Sequence, residues 1–501
     1  MQTSIRKKNY RMMAMALFGA GIMSICGSNV ADAAAIGAEQ VERSVAEDQA
    51  QQEVERERPK PSEQQAVRAD RITVPATSVQ IVSSKSLSEK EVRELVPELN
   101  KDMINIHTLS RQIQMVNDTG AAKLGANFVS NHDGTFTVQV ANEAKDNDKF
   151  VISLANNGNE YTGNWRTTFS YLNNNLTGSA DNLGFAYITS PDSHFSDVQM
   201  AALSYRRLLP QNSASLTFTT SIYDIQQGQT PLISTGGMMG SQSTGKGYNL
   251  GMHYQQYLSY TSQNKDMWDF GLDYRQVQTT GDLAVGGVPL GINKQTEDYH
   301  ILLGSVGFIH NNRDTHHSFT YDFGVTANIG GDDAAYNRNW AGPLFDKYDT
   351  NFVYYHAGVN YQVRSNDDWI LGAKVHGQYT KDNLVVLAQI GAGGMYTVRG
   401  FENCIAGDSG LVGNVEVYTP EIAPGSRFVV FYDYGHLSNN RQGASFSNET
   451  LSSVGIGYRY TDKKSGLSVA IDYANPLDDV SSRISNTNNH RRWNAMISMS
   501  F

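Results

Sequence analysis

From Asp148 to Phe501 apolar and polar residues alternate with a period of two, and helical periodicity is lost. Clusters of Asn, Gly, Asp and Ser cut this stretch into short segments, each predicting a strand with one apolar and one polar face. The segmentation gives sixteen strands: 149–156, 161–171, 182–190, 196–208, 214–225, 246–259, 266–280, 297–310, 314–329, 350–364, 367–381, 410–419, 426–436, 451–462, 464–474 and 491–501. Connections alternate too. Ser365-Asn366 reads as a short turn, whereas 226–245, 330–349 and 382–409 read as long loops. An even number of antiparallel strands with short turns at one end and long loops at the other predicts a transmembrane β-barrel, closed because lipid tolerates no unpaired edge.

Parity assigns faces. In the last segment Trp493, Ala495, Ile497, Met499 and Phe501 share a face, opposite Asn494, Met496, Ser498 and Ser500. The first face suits lipid and the second a wet lumen, so Trp493, Met499 and Phe501 are read as a C-terminal barrel signal. Over 426–436, Phe428, Val430, Tyr432 and Tyr434 oppose Arg427, Val429, Phe431, Asp433 and Gly435, which points Asp433 inward. Glu416 has the parity of Asn414 and also faces the lumen.

Ahead of the barrel, assigned to 146–501, the pattern changes three times. Residues 71–145 predict a compact β-α-α-β-β domain. Its signals are an alternating Ser78–Val82, a helix from the capping box of Ser88 and Glu91 through Leu99, and a second helix capped by Thr108 with Leu109, Ile113 and Val116 on one face. A hairpin follows around Asn131-His132-Asp133-Gly134. Residues 36–70 are polar all round and predict a helix that could lodge in a water-filled lumen, then a linker around Pro59 and Pro61; a disordered exported tail is the alternative. Residues 1–35 read as a signal peptide: basic Arg6, Lys7, Lys8 and Arg11, an apolar run Met12–Ile25, and small residues near Ala33–Ala35.

Among 501 residues the net charge is −10, which disfavours nucleic-acid binding. Past residue 35 no apolar run reaches the roughly 18 residues of a membrane helix. Three motifs imitate catalytic ones. Gly240–Lys246 resembles a phosphate loop but is followed by Gly247 where Ser or Thr would hold a metal, and lies in a segment read as loop. Gly407-Asp408-Ser409-Gly410 lacks the His and Asp partners of a serine protease. His310, His316 and His317 cluster at a turn, as exposed His residues often do. No enzymatic activity, metal or cofactor is expected.

One constellation does invite a role. Gly391-Ala392-Gly393-Gly394-Met395-Tyr396-Thr397-Val398-Arg399-Gly400-Phe401 predicts a loop with a defined tip. A guanidinium there stays charged and needs an acceptor. Asp433, with Gly435 leaving room beside it, could pin the loop inside the barrel; alternatively Arg399 is solvated and Asp433 is an ordinary lumen residue.

Val398-Arg399-Gly400-Phe401 resembles the loop-six signature of the outer-membrane assembly and secretion superfamily, and Phe431-Tyr432-Asp433-Tyr434-Gly435 its partner motif on strand thirteen. Gly407–Leu411 with Asn414, Glu416 and Pro420, the stretch Ile106–Asn117, and Asn156–Gly163 are similar to segments of the haemolysin/adhesin secretion-activation proteins of two-partner secretion. The resemblance implies a mainly β protein: a sixteen-stranded barrel in the outer membrane, a periplasmic POTRA (polypeptide-transport-associated) domain and a polar plug helix. Its implied partners are a secreted exoprotein client, outer-membrane lipid and the barrel assembly machinery. That family usually carries two POTRA domains, and only one can be placed here. An insertase of the same superfamily and a diffusion porin are the alternatives; neighbours in the genome would discriminate them.

Overall fold

The structure is a computed structural model that describes residues 73–82, 86–158, 162–191, 195–231, 239–285, 288–289, 295–331, 349, 351–402, 404–441, 446–478 and 492–501. The signal peptide predicted over 1–35 and the polar helix and linker predicted over 36–70 lie outside the described residues.

A small α/β unit comes first. It runs β1 (Thr73–Ile81), α1 (Glu89–Leu95), β2 (Met103–Asn105), α2 (Ile106–Thr119), β3 (Ala122–Ser130) and β4 (Phe136–Ala144), with sheet order β2-β1-β4-β3. The extra strand β2 corrects the predicted β-α-α-β-β order; three residues are too few to show an alternation. Ser88 and Glu91 do form a capping box. However, α1 stops at Leu95 rather than Leu99, because Pro97 disfavours helical geometry at Val96 and brings no N–H. The cap of α2 is Asn105, whose side chain accepts from the Thr108 N–H at 3.0 Å, so Thr108 already lies inside the helix. Both helices close over the sheet through Val92, Leu95, Leu109, Val116, Val138 and Val140, all buried.

Next come β5 (Asp148–Ala155), β6 (Arg166–Asn173), β7 (Asn182–Thr189), β8 (Val198–Leu209), β9 (Ala214–Pro231), β10 (Met239–Tyr260), β11 (Asn264–Val285), the two-residue β12 (Val288–Pro289), β13 (Gln295–Arg313), β14 (His317–Gly331), β15 (Val353–Arg364) and β16 (Ile370–Tyr379). The short β17 (Ile390–Ala392) and β18 (Ile405–Gly407) lie within a loop, before β19 (Ser409–Tyr418), β20 (Ser426–Ser438), β21 (Asn448–Asp462), β22 (Leu467–Pro476) and β23 (Arg492–Ser500). Without β12, which folds back on the end of β11, sixteen antiparallel strands form a closed barrel in which β23 pairs with β5. At this seam the Phe501 and Phe150 backbones exchange hydrogen bonds of 2.8 and 3.2 Å.

Two differences from the expected segments stand out. Strand β6 begins at Arg166, not 161. More consequentially, β9 runs on to Pro231, β10 starts at Met239 and β11 reaches Val285. Gly240–Lys246, read as loop, is therefore strand, paired residue by residue with β11. Gly, Ser and Thr give it little strand signal of its own, but ladders on both sides hold it. At about 3.3 Å per residue the 22 residues of β10 span roughly 70 Å, far more than the roughly 9–11 residues that cross a bilayer.

The barrel's outer face is apolar. Phe428, Val430 and Tyr432 on β20 are exposed, while Val429, Phe431 and Asp433 are buried inside. On β23 Trp493, Ile497 and Met499 point out, and Asn494 and Ser498 point in. Among the described residues no helix is long and apolar enough to cross a membrane.

The α/β unit docks at the short-turn end of the barrel. Met115 of α2 is buried against Leu208, Tyr257, Tyr260 and Met267. Beside it the Asp118 carboxylate accepts from Tyr260 at 2.9 Å and from Lys265 at 2.5 Å, while Asn182 donates to the Thr119 carbonyl at 2.9 Å.

Candidate functional site: a loop pinned inside the barrel

The connection from β16 to β19 carries β17 and β18, which pair as a narrow hairpin with Ala392 opposite Ile405. Beyond them the chain turns at Gly393, Gly394 and Gly400, all at positive φ. Thr397 and Gly393 bond reciprocally, and Gly394 N–H donates to the Phe401 carbonyl at 3.1 Å. Val398 and Phe401 are buried with Ile390, Ala392, Val412 and Leu437. The tip thus lies folded against the barrel wall. Gly435 makes this approach possible: a Cβ there would sit 2.8 Å from that of Ala392 and 3.2 Å from Val398 Cγ2. Gly400 combines a φ of +96° with a close approach to Pro476 and Ala474.

At the centre stands Arg399. Its Nε donates to Asp433 Oδ2 at 2.8 Å and its Nη2 to Oδ1 at 2.7 Å, while its own backbone N–H reaches Oδ2 at 2.9 Å. Nη2 also lies 2.8 Å from Glu416 Oε1, and the guanidinium carbon sits 3.4 Å from the centre of the Phe431 ring. That ring in turn fills the space left by Gly455, where a Cβ would collide with it. The residues singled out from sequence in loop and wall, Val398, Arg399, Gly400, Phe401, Glu416, Phe431, Asp433 and Gly435, therefore form one site. Trp493, Met499 and Phe501 lie apart from it, on the outer face of β23.

Sequence reasoning missed two members. Asp472 on β22 accepts from Arg399 Nη1 at 3.3 Å and binds Arg459 of β21 at 2.7 and 3.0 Å. Parity could have found Asp472, since Ile471 is exposed and Asp472 buried. The site thus sets two guanidinium groups against three carboxylates. Such a group is strong as a whole and costly to break in part, because a stripped buried charge keeps its desolvation penalty. The contacts among the described residues are those of a clamp.

The imitation motifs have structural roles. Asp408, nearly fully buried, accepts from the Leu384 N–H at 3.0 Å, Gln389 Nε2 at 2.9 Å and the Asn440 N–H at 2.8 Å, tying the loop base together. Lys246 pairs with Asp224 at 2.7 Å. His310 contacts Asp266 at 2.5 Å, His317 contacts Asn312 at 2.8 Å, and His316 contacts Thr315 at 2.8 Å. Among the described residues no group of three or more His, Cys, Asp or Glu could hold a metal ion.

Known proteins share sequence and fold with this chain. The heme/hemopexin transporter protein HuxB of Haemophilus influenzae strain 86-028NP is 24% identical over 71% of this chain and 60% of its own. The chain thus spans about three fifths of that relative's length. Among solved structures, CdiB from Escherichia coli matches with a TM-score of 0.68 at 18% identity, over 85% of this chain and 76% of that one. CdiB from Acinetobacter baumannii gives 0.64 at 16%, over 85% and 74%. The pattern defining the haemolysin secretion/activation proteins ShlB/FhaC/HecB matches residues 134–460, well over half of the chain, which therefore belongs to that family.

Proposed function

We propose that the chain is an outer-membrane transporter that passes a large partner exoprotein, such as a haemolysin or adhesin, out through its barrel. The observation that carries this reading is the buried Arg399–Asp433 clamp, which holds a loop within a closed barrel. A loop folded into the lumen obstructs it, and one held by a few polar contacts at its tip can be rearranged without unfolding the wall. Family membership and the name of the HuxB relative, a transporter, support the same conclusion.

In this reading lipid surrounds the apolar outer face, and the assembly machinery recognises the last strand through Trp493, Met499 and Phe501. The α/β unit, assigned to 71–145 as a POTRA domain, sits in the periplasm and captures the unfolded client by strand addition or in a groove. The polar helix over 36–58, ahead of the linker that completes 36–70, plugs the lumen at rest, after removal of the signal peptide over 1–35. Folding of the client outside draws transport forward, as any process that stabilises one state does. No hydrolysis and no cofactor are needed.

The test is co-expression with a large signal-bearing exoprotein from the same genome, sought first among the genes beside this one. Exoprotein in the medium that is lost when the transporter is omitted supports the reading. Equal release without it would leave an insertase or a porin as the better description.

A further inference from the structure

Arg399 fixes only the tip of the loop. Its first arm lies elsewhere. Leu384, Leu387 and Ala388 are buried in an apolar cluster with Tyr223, Val277 and Tyr299 of β9, β11 and β13. Such a cluster is out of place in a lumen lined by polar side chains. The arm is also tied by its backbone. Arg275 on β11, itself 2% exposed, donates from Nη1 to the Leu387 carbonyl at 2.7 Å. Gln378 on β16 donates to the Ala388 carbonyl at 2.9 Å.

Position gives these contacts meaning. Strands β13, β14, β15, β16 and β19 stand between β11, which carries Arg275, and β20, which carries Asp433. The loop therefore straps across the lumen, with an apolar anchor on one side and an ionic anchor on the other. Lys265, at the start of β11, touches the α/β unit, and Arg275 lies roughly 30 Å further along the strand, toward the opposite mouth.

We infer that Arg275 is a positioning residue for the loop, and that the apolar arm it holds is a second closure of the lumen, at the mouth remote from the α/β unit. This rests on the reading of the loop as the lock of a secretion channel. Apolar constrictions exclude water and ions without any charge, so release of Arg399 alone leaves this closure standing. A passing client must displace the arm as well as the tip.

The test uses the purified full chain in planar bilayers with potassium chloride, and the same series in a chain lacking residues 36–58, so that a plug cannot mask the effect. Arg399→Ala alone should conduct nearly as the unmodified chain does. Arg275→Met and Leu387→Gln, each combined with Arg399→Ala, should raise conductance several-fold. Arg275→Lys, still able to donate to the carbonyl, should sit closer to the unmodified chain than Arg275→Met. Leu387→Gln alters the arm and not the wall, so it remains informative if the Arg275 variants fail to fold, which heat-modifiable gel migration reports. Unchanged conductance in every folded arm variant overturns the inference. If Arg399→Ala still abolishes secretion in that case, the lock reading stands without a second closure; normal secretion by Arg399→Ala removes the lock reading itself.

Discussion

One Asp433 carboxylate takes three donors from Arg399: the backbone N–H at 2.9 Å, Nε at 2.8 Å and Nη2 at 2.7 Å. The side-on fork fixes the plane of the guanidinium, and the backbone donor fixes the loop that carries it. An ammonium at the same position could supply charge but neither the fork nor the stacking on Phe431.

Asp433→Asn should therefore free the tip. Removing one partner of a buried ion pair costs about 3–5 kcal/mol, here borne by the loop while the barrel ladder stays intact. The expected outcome is faster amide hydrogen exchange within 393–402 in a barrel that still shows heat-modifiable migration; exchange equal to that of the unmodified chain would contradict it.

Gly435→Leu should act on the same contact from the wall. The added side chain must displace Ala392 and Val398, at a cost of about 1–3 kcal/mol. Amide hydrogen exchange of the tip should rise as in Asp433→Asn, although every charge is retained. Gly307→Ala, on β13, adds a Cβ that makes only ordinary contact with the Phe323 carbonyl, at 3.4 Å, and should leave tip exchange unchanged.

Asp118→Ala should loosen the α/β unit from the barrel. It removes the acceptor shared by Tyr260 and Lys265, a charge-assisted contact worth roughly 1.5–3 kcal/mol. Cleavage in the connecting segment 145–147 should speed up by about tenfold or more, measured by limited proteolysis. No change in rate would place the docking energy elsewhere, in the packing of Met115.

Deleting Phe501 should impair assembly more than stability. Its backbone pairs with Phe150 across the closing seam, and its ring is exposed on the outer face. Pulse-chase fractionation should show accumulation of unassembled chain, with the assembled fraction migrating normally; assembly at the unmodified rate would contradict a signal role.

Much of this was legible in the alternation itself. Parity alone separated Phe428, Val430 and Tyr432 from Asp433, and it turned Glu416 to the side on which it meets Arg399. What escaped was held by partners distant in sequence. Gly240–Lys246 looks like a loop because its strand state comes from β9 and β11, not from its own residues. Asp472 and Arg459 join the clamp through strands that close only when the ring does. Arg275 meets Leu387 across the lumen, a contact that no local pattern announces.

The most direct measurement is secretion of the partner exoprotein, identified by co-expression, by cells carrying Arg399→Ala, at matched abundance of the variant in the outer membrane. A clamp that holds the loop in its working position requires a strong fall in exoprotein in the medium, with Arg399→Lys recovering little of it. Secretion at the unmodified level by Arg399→Ala would contradict the account.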